Sequence, residues 1–394
     1  MLEKCKEPIV KAIRDKIDSI YKITKAKSEF ELNDLWDGYA GVYLFQKKFE
    51  QLNGYSIGAF DIDHLNQDKD NFGLGFAGQI WVDILNNPLQ AEIYSEFIEY
   101  LEESSLIDAE HQHYNLVYGG LGKLICLIEC NKHCPIDKEK FNALAKTFLK
   151  NAIEIENGKV WYNPIYPYQK HDKSEVNISM TQGIASMIMG LVILHPLVDH
   201  VVGEDIKKTL SKCVNWLKTI VLKETVGYKN FPTHFYSTEE QYIHFNRIGW
   251  AYGDISVAFA IYKASEIYQS EIDKNFAMDL LKLIATYDNE KLKLSSDASI
   301  GQGTSGLTQI FNRLYKETKI KEFDDARWYW LNETLNMARF DDGQAGYKFW
   351  VSKSEGFKEN IGFYGGIAGV GLVLLGFLTE DLEIMDWDRC LLLN

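Results

Sequence analysis

Three cysteines spaced four residues apart are the side chains with metal-ligand spacing. Cys126, Cys130 and Cys134 would share one face of a helix, and His133 lies beside them. Thiolate and imidazole groups bind zinc, so a metal site is one interpretation. We favour the other, in which small thiols pack inside the protein. The chain has six cysteines and no Cys-x-x-Cys pair, which predicts free thiols in a reducing compartment.

Three aspartates are the acids available for a different chemistry, the cleavage of glycosidic bonds. That reaction usually requires two opposed carboxyl groups at the mouth of a barrel. Asp37, Asp254 and Asp297 are the candidates, but nothing in the sequence places two of them at the required separation. A carbohydrate-active α/α barrel therefore remains an alternative function.

The strongest signal in the sequence is a Gly-x-x-Gly or Gly-x-x-Ser motif followed by an apolar run. The copies begin at Gly38, Gly75, Gly119, Gly183, Gly253, Gly303 and Gly366. Seven copies spaced by roughly 55 residues indicate a repeat of two helices with loops of uneven length. Glycines at the helix starts permit tight turns, and the uncovered N–H groups there favour polar or anionic ligands.

Amphipathic segments between the motifs predict a second ring of helices. In the segment Lys138–Ile155, for example, Phe141, Leu144, Phe148 and Leu149 form the apolar stripe of a one-sided helix. The runs after the glycines are apolar nearly all round, as buried helices are. We therefore predict an all-α fold, an α/α toroid of seven inner and seven outer helices.

The chain shows no change in composition that would mark a domain boundary, so residues 1–394 are predicted to form a single domain. Two segments depart from the helical pattern, Gly158–Asn177 and Val226–Asn246, and both are rich in aromatic residues, Pro and His. Each precedes a glycine motif, so both are expected at the same mouth of the barrel. Long loops on a rigid scaffold commonly carry binding sites.

Composition excludes two broad classes of function. The formal net charge is −14, which disfavours nucleic-acid binding, because that binding depends on clustered Lys and Arg. The longest apolar stretches, Ala185–Leu194 and Gly365–Leu378, are shorter than the roughly 20 residues of a transmembrane helix. The first residues lack the apolar core of a secretory signal. We therefore expect a cytoplasmic protein without a membrane span.

The glycine repeats resemble those of the LanC-type lanthionine synthetases and LanC-like proteins, from Asp37 to Leu378. Two local motifs make the resemblance specific. Asn246–Asp254 reads NRIGWAYGD and is similar to the family's Trp-Cys-Tyr-Gly segment. Gly301–Gly306 reads GQGTSG and is similar to its Cys-His-Gly-x-x-Gly segment.

The resemblance implies thioether chemistry on ribosomal peptides. Family enzymes add a Cys thiol to a dehydroalanine or dehydrobutyrine that a partner dehydratase has made. Zinc held by two Cys and one His from the two segments supplies the thiolate, because a metal deprotonates a bound thiol. In this sequence Ala251, Gly301 and Gln302 occupy the three ligand positions. We therefore expect no zinc cofactor here.

Further positions follow from the same resemblance. Gln182 stands where the family often has an acid–base His, and Asn115 stands where an Asp is common. Both replacements keep hydrogen bonding and remove titration near neutral pH. The predicted catalytic positions are Arg247, Tyr252, Gln182 and Asn115, and the predicted substrate-binding residues are Asp254, Gln302, Trp250 and Tyr364. We expect Arg247, Tyr252, Gln182, Asn115 and Gln302 to converge on one pocket.

These substitutions favour a zinc-free pseudo-cyclase that binds a ribosomal precursor peptide, its leader or a partner dehydratase. One alternative is an active thioether-forming cyclase that works without metal, with Arg247 and Tyr252 stabilising the enolate. The carbohydrate-active barrel and a purely structural scaffold are the remaining alternatives.

Overall fold

The computed structural model describes residues 2–27, 29–55, 60, 65, 68–162, 175–221, 231–236, 241–243, 248–292, 295–380 and 384–393. In chain order the elements are α1 (Leu2–Ala26), α2 (Tyr39–Asn53), α3 (Phe76–Asn86), α4 (Ser95–Glu110), α5 (Gly120–Asn131), α6 (Lys138–Asn151), β1 (Ile153–Ile155), β2 (Gly158–Val160), β3 (Glu175–Asn177), α7 (Ile184–Leu194), α8 (His200–Thr219), β4 (His234–Tyr236), β5 (Gln241–Ile243), α9 (Asp254–Ile267), α10 (Glu271–Ala285), α11 (Asn289–Leu292), α12 (Thr304–Thr318), α13 (Lys321–Asn336), β6 (Phe349–Ser352), β7 (Gly356–Lys358) and α14 (Ile367–Leu378).

Seven helices form the inner ring, and each begins directly after the first glycine of a motif. They are α2, α3, α5, α7, α9, α12 and α14, with N-caps at Gly38, Gly75, Gly119, Gly183, Gly253, Gly303 and Gly366. Because every copy of the motif starts an inner helix, all seven N-termini surround the same end of the barrel. The α/α toroid predicted from the sequence is therefore confirmed, as is the place of its glycine motifs.

The outer ring contains one helix fewer than predicted within the described residues. Helices α1, α4, α6, α8, α10 and α13 cover the inner ring. The seventh outer position would lie between α2 and α3, where the described part of residues 54–75 forms no helix. No helix in the described ranges has both the length and the apolar character to cross a membrane.

Seven apolar side chains close the barrel just below the glycine motifs, and we call them the floor. They are Leu35, Phe72, Leu116, Met180, Trp250, Ile300 and Phe363, and all are completely buried. The second glycines of the motifs allow this packing. A Cβ atom on Gly122 would lie 2.5 Å from Cβ of Phe72, and one on Gly41 would lie 2.6 Å from Cβ of Phe363. The five inner helices whose motif has a second glycine thus rest on a floor residue of the preceding repeat.

The residues that follow the floor residues form what we call the mouth ring: Trp36, Gly73, Val117, Thr181, Ala251, Gly301 and Tyr364. Backbone hydrogen bonds join the repeats in a closed circle at this level. Trp36 N donates to Gly73 O at 3.2 Å, and Ala251 N donates to Gly301 O at 2.8 Å. Tyr364 N closes the circle by donating to Trp36 O at 2.9 Å. This circle satisfies backbone groups that loops on the inside of a barrel would otherwise leave buried and unpaired.

The end of the chain fills the barrel from the opposite side. Residues 384–393 are largely buried, and the indole N–H of Trp250 donates to Leu391 O at 2.9 Å. Deeper in the barrel, the guanidinium of Arg313 binds the carboxylate of Asp388 in a bidentate pair, at 2.6 and 3.0 Å. The C-terminal segment therefore supports the floor from below.

Short strands lie at the mouth end of the helical barrel. The three-stranded sheet β3–β4–β5 comes from the two aromatic-rich segments, whose other residues lie mostly outside the described ranges. Ile178 N donates to Thr233 O at 3.0 Å and attaches this sheet to the fourth repeat. The hairpin β6–β7 is fixed at the sixth repeat, where Trp350 N donates to the carboxylate of Asp297 at 2.8 Å.

Candidate functional site

The structure brings most of the predicted site residues to one mouth. Ala251 and Gly301 are neighbours in the mouth ring, joined by a backbone hydrogen bond. Gln182, Tyr252 and Gln302 follow the ring residues of the fourth, fifth and sixth repeats, and each side chain is half-buried. Arg247 lies outside the described residues. That all five predicted residues share one pocket stays a prediction.

Gln182 and Gln302 occupy the same local turn in two repeats. The backbone N–H of Gln182 donates to Oγ of Ser179 at 3.2 Å, and that of Gln302 donates to Oγ of Ser299 at 3.4 Å. In each turn these bonds involve the backbone of the glutamine and not its amide side chain. Oε1 of Gln302 is buried without a hydrogen-bond partner. Such an acceptor is costly to leave unpaired and is suited to a ligand donor.

The side chain of Asn115 stabilises the backbone turn before the third motif, a role that its residue type alone does not indicate. Its Oδ1 accepts hydrogen bonds from the backbone N–H groups of Val117 at 2.6 Å and Tyr118 at 3.0 Å. Asp34 and Asn71 accept equivalent bonds before the first and second motifs. The side chain of Asn115 is buried, and its oxygen shapes the turn before the third motif. Its shared position with Asp34 and Asn71 was the signal of this role.

Two predicted substrate-binding residues are likewise engaged in the fold. Trp250 belongs to the floor, and its indole N–H is already bonded to Leu391 O. Asp254 is 3% exposed, and its Oδ1 accepts a hydrogen bond from Phe231 N at 3.0 Å. In this structure a ligand at the mouth would reach neither side chain without rearrangement of its neighbours. Their role in substrate binding stays a prediction.

The acids of the carbohydrate alternative do not form an exposed pair. Asp254 and Asp297 are buried, and both carboxylates accept hydrogen bonds from backbone N–H groups. Asp37 is the exposed member of the three, and one of its oxygens lies 3.3 Å from Nδ2 of Asn360. Opposed general-acid and general-base carboxylates are therefore not found among these three residues.

Tyr364 crosses the part of the mouth ring where the resemblance places a zinc ligand of the family, at Gly301. Its ring stacks on Trp36 with a centroid separation of 4.1 Å and meets Trp250 edge-on at 6.1 Å. A Cβ atom on Gly301 would lie 2.5 Å from Cε2 of Tyr364 and closer still to Cζ and Oη. The phenol ring thus fills the space that a side chain at position 301 would enter.

The residues at the mouth do not fit the zinc that the resemblance implies. Ala251 and Gly301 have no donor atom, and Gln302 alone is a poor zinc ligand. Across the part of the chain that the structure describes, no three His, Cys, Asp or Glu side chains are grouped so as to hold a metal ion. The cysteine stripe agrees with packing, since Cys126 and Cys130 are completely buried with their sulfurs 3.9 Å apart.

His234 is a candidate that the sequence analysis missed. It lies on β4, and its Nε2 is 3.2 Å from Nδ2 of Asn177 and 3.5 Å from a carboxylate oxygen of Glu175. Its ring centroid is 6.3 Å from that of Tyr252 at the mouth. Burial lowers the pKa of His234, while the charge of Glu175 opposes this shift. The aromatic-rich segment around it was the only available signal.

Comparisons with known proteins agree with this geometry. The family model described as "Lanthionine synthetase C-like protein" matches residues 71–392. The solved structure of "Nisin cyclase" superposes with a TM-score of 0.67 and 16% sequence identity, covering 98% of both chains. At this identity the superposition supports the fold alone. No curated protein matches the sequence significantly. Because the family model spans most of the sequence, the chain belongs to the lanthionine synthetase C-like family.

Proposed function

We propose that this protein is a zinc-free pseudo-cyclase that binds a ribosomal precursor peptide at its mouth. One observation carries the proposal: the mouth ring is complete, but Tyr364 fills the space of a zinc ligand beside Gly301. The mouth ring and the residues beside it still provide a surface on which a peptide can bind, although the family's metal ligands are replaced. Ala251 and Gly301 offer no donor atom for the zinc that would form a thiolate. A partner dehydratase is a further candidate for binding at this end.

The proposal predicts binding without conversion. A dehydrated precursor peptide that retains free cysteines should bind the protein, as measured by fluorescence anisotropy. Its alkylatable thiols, counted by mass spectrometry, should not decrease during incubation, because no group at the mouth generates a metal thiolate. Gln182→Ala combined with Gln302→Ala should weaken binding.

The matched control for this experiment is His133→Ala, because His133 is exposed and follows the end of α5 that lies away from the mouth. It should leave peptide affinity unchanged. A peptide that fails to bind the wild-type protein would contradict the proposal. Loss of alkylatable thiols would instead support the second candidate function.

The second candidate is thioether formation without metal, and His234 is the observation that favours it. Burial lowers the pKa of His234, which favours the neutral imidazole that can accept a proton. It would take the proton of the peptide thiol as sulfur attacks the β-carbon of the dehydro residue. The enolate that forms would then recover that proton at its α-carbon. No oxidant or leaving group is required.

Under this second candidate, His234→Gln should reduce the rate of ring closure by about 10²–10⁴-fold, as loss of a general base does. The wild-type rate should rise with pH through the lowered pKa of this imidazole and then level off, because only the neutral imidazole accepts the proton. Glu175→Gln should lower that apparent pKa further, since it removes the charge that favours protonation.

His195→Gln is a suitable control, because burial also lowers the pKa of His195, which follows the far end of α7. It should leave the rate unchanged. If the wild-type protein closes rings and His234→Gln closes them equally fast, His234 is not the base.

A further inference from the structure

The backbone conformation at position 301 does not require a glycine. In the described residues, the glycines with positive φ are Gly54, Gly346 and Gly356, so Gly301 adopts a backbone that other residues can share. A substitution at 301 is therefore not opposed by left-handed geometry. What opposes it is a neighbour, because an added Cβ would overlap the ring of Tyr364.

Tyr364 is held in that position by contacts on several sides. Its backbone belongs to the mouth ring, with its carbonyl accepting from Ile300 N at 3.2 Å and Gly301 N at 3.3 Å. Its ring lies nearly parallel to Trp36, at an interplanar angle of 22°. The side chain therefore cannot swing away without giving up this stack, and the backbone cannot shift without breaking the circle of hydrogen bonds.

The mouth ring places a residue without a side chain beside a large one. Gly301 lies directly under the phenol of Tyr364, the next member of the ring. Because protein interiors are close-packed, a side chain added at position 301 would need the space that this phenol fills. The absence of a ligand side chain at position 301 and the presence of an aromatic ring at position 364 are therefore complementary, because the ring fills the space that the side chain would need.

We infer that Gly301 and Tyr364 form an adapted pair that excludes metal from the mouth. The phenol ring occupies the volume in which a ligand side chain from position 301 would have to lie. Restoring the ligand residues alone would therefore not restore a zinc site. The inference goes beyond peptide binding, because it concerns the metal and holds whether or not a peptide is bound.

The test compares two variants of the full chain with zinc as the probe. The triple variant carries Ala251→Cys, Gly301→Cys and Gln302→His, and the quadruple variant adds Tyr364→Ala. After dialysis against zinc, elemental mass spectrometry should find much less than one zinc per chain in the triple variant. The quadruple variant should hold about one zinc per chain, because three ligands in a cavity are enough for a site with one open position.

Two controls accompany this comparison. Tyr364→Ala alone should bind no zinc, since it provides no donor. Cobalt added in place of zinc should give the absorption of thiolate coordination in the quadruple variant only. Stoichiometric zinc in the triple variant would overturn the inference, and so would a folded quadruple variant that takes none.

A second measurement keeps the inference testable if the triple variant does not fold. Gly301→Ala should lower the melting temperature markedly in the wild-type background. In a Tyr364→Ala background the same change should have little effect, because the ring that the methyl group meets is gone. Equal shifts in the two backgrounds would mean that position 301 and Tyr364 are not coupled. Peptide binding by the wild type is measured separately, so failure here leaves the proposed function intact.

Discussion

Replacing Asp388 with alanine should lower the free energy of unfolding by about 3–5 kcal/mol, because it leaves a buried cation without its partner. The Asp388 carboxylate is completely buried and accepts bonds from Arg313 at 2.6 and 3.0 Å and from Gln309 at 2.7 Å. Arg313 is itself 3% exposed, so water cannot replace the lost carboxylate. Urea unfolding followed by circular dichroism would measure the change.

Asp325→Ala is the matched control for this prediction. Asp325 pairs with Lys321 at 2.6 Å, but the two side chains are 65% and 78% exposed. Its loss should leave the free energy of unfolding almost unchanged, because exposed pairs are screened by solvent. If Asp388→Ala were no more harmful than Asp325→Ala, the C-terminal segment would not be packed inside the barrel.

Gly369→Ala should destabilise the protein by about 1–3 kcal/mol through overpacking. Helix propensity alone would favour alanine by about 1 kcal/mol in α14, so the sign depends on packing. The added Cβ would overlap the carbonyl oxygen of Phe363 and lie 2.8 Å from Cδ1 of Ile300. A backbone oxygen cannot move aside as the end of a flexible side chain would. Thermal unfolding would record the loss.

Gly203→Ala in the outer helix α8 offers the contrasting case. The atoms nearest to an added Cβ belong to His195 and Val198, at 3.6 to 4.0 Å, which is ordinary contact. This change should be neutral or should stabilise the helix by up to about 1 kcal/mol. Equal effects at the two positions would show that the second glycines of the motifs are not required by packing against the floor.

The fold was accessible from sequence because its signals are local. Each inner helix is indicated in the sequence by a glycine followed by an apolar run, such as the run after Gly366. Both signals involve only residues that are close together in the chain. The outer helices were predicted from one-sided stripes such as that of α6. The seventh outer helix was expected by symmetry alone. The described residues between α2 and α3 show no such helix.

The roles of the site residues were less accessible, because they depend on contacts between repeats. Asn115 looked like a catalytic aspartate that had lost its charge, but its oxygen is committed to the backbone of Val117 and Tyr118. Trp250 was predicted to bind substrate because of its motif, and the structure buries it completely in the floor. A motif identifies the position of a residue along the chain. It does not identify the direction in which the side chain packs.

The sequence by itself determined the repeat, the positions of the seven inner helices and the absence of zinc donors at Ala251 and Gly301. Those features follow from residue type and periodicity, which no packing can alter. Only the tertiary structure decided that Tyr364 fills the space beside Gly301 and that His234 approaches Tyr252. The physical reason is closure of the ring. Side chains far apart in the chain compete for one confined volume, and their arrangement is fixed only when all seven repeats are joined.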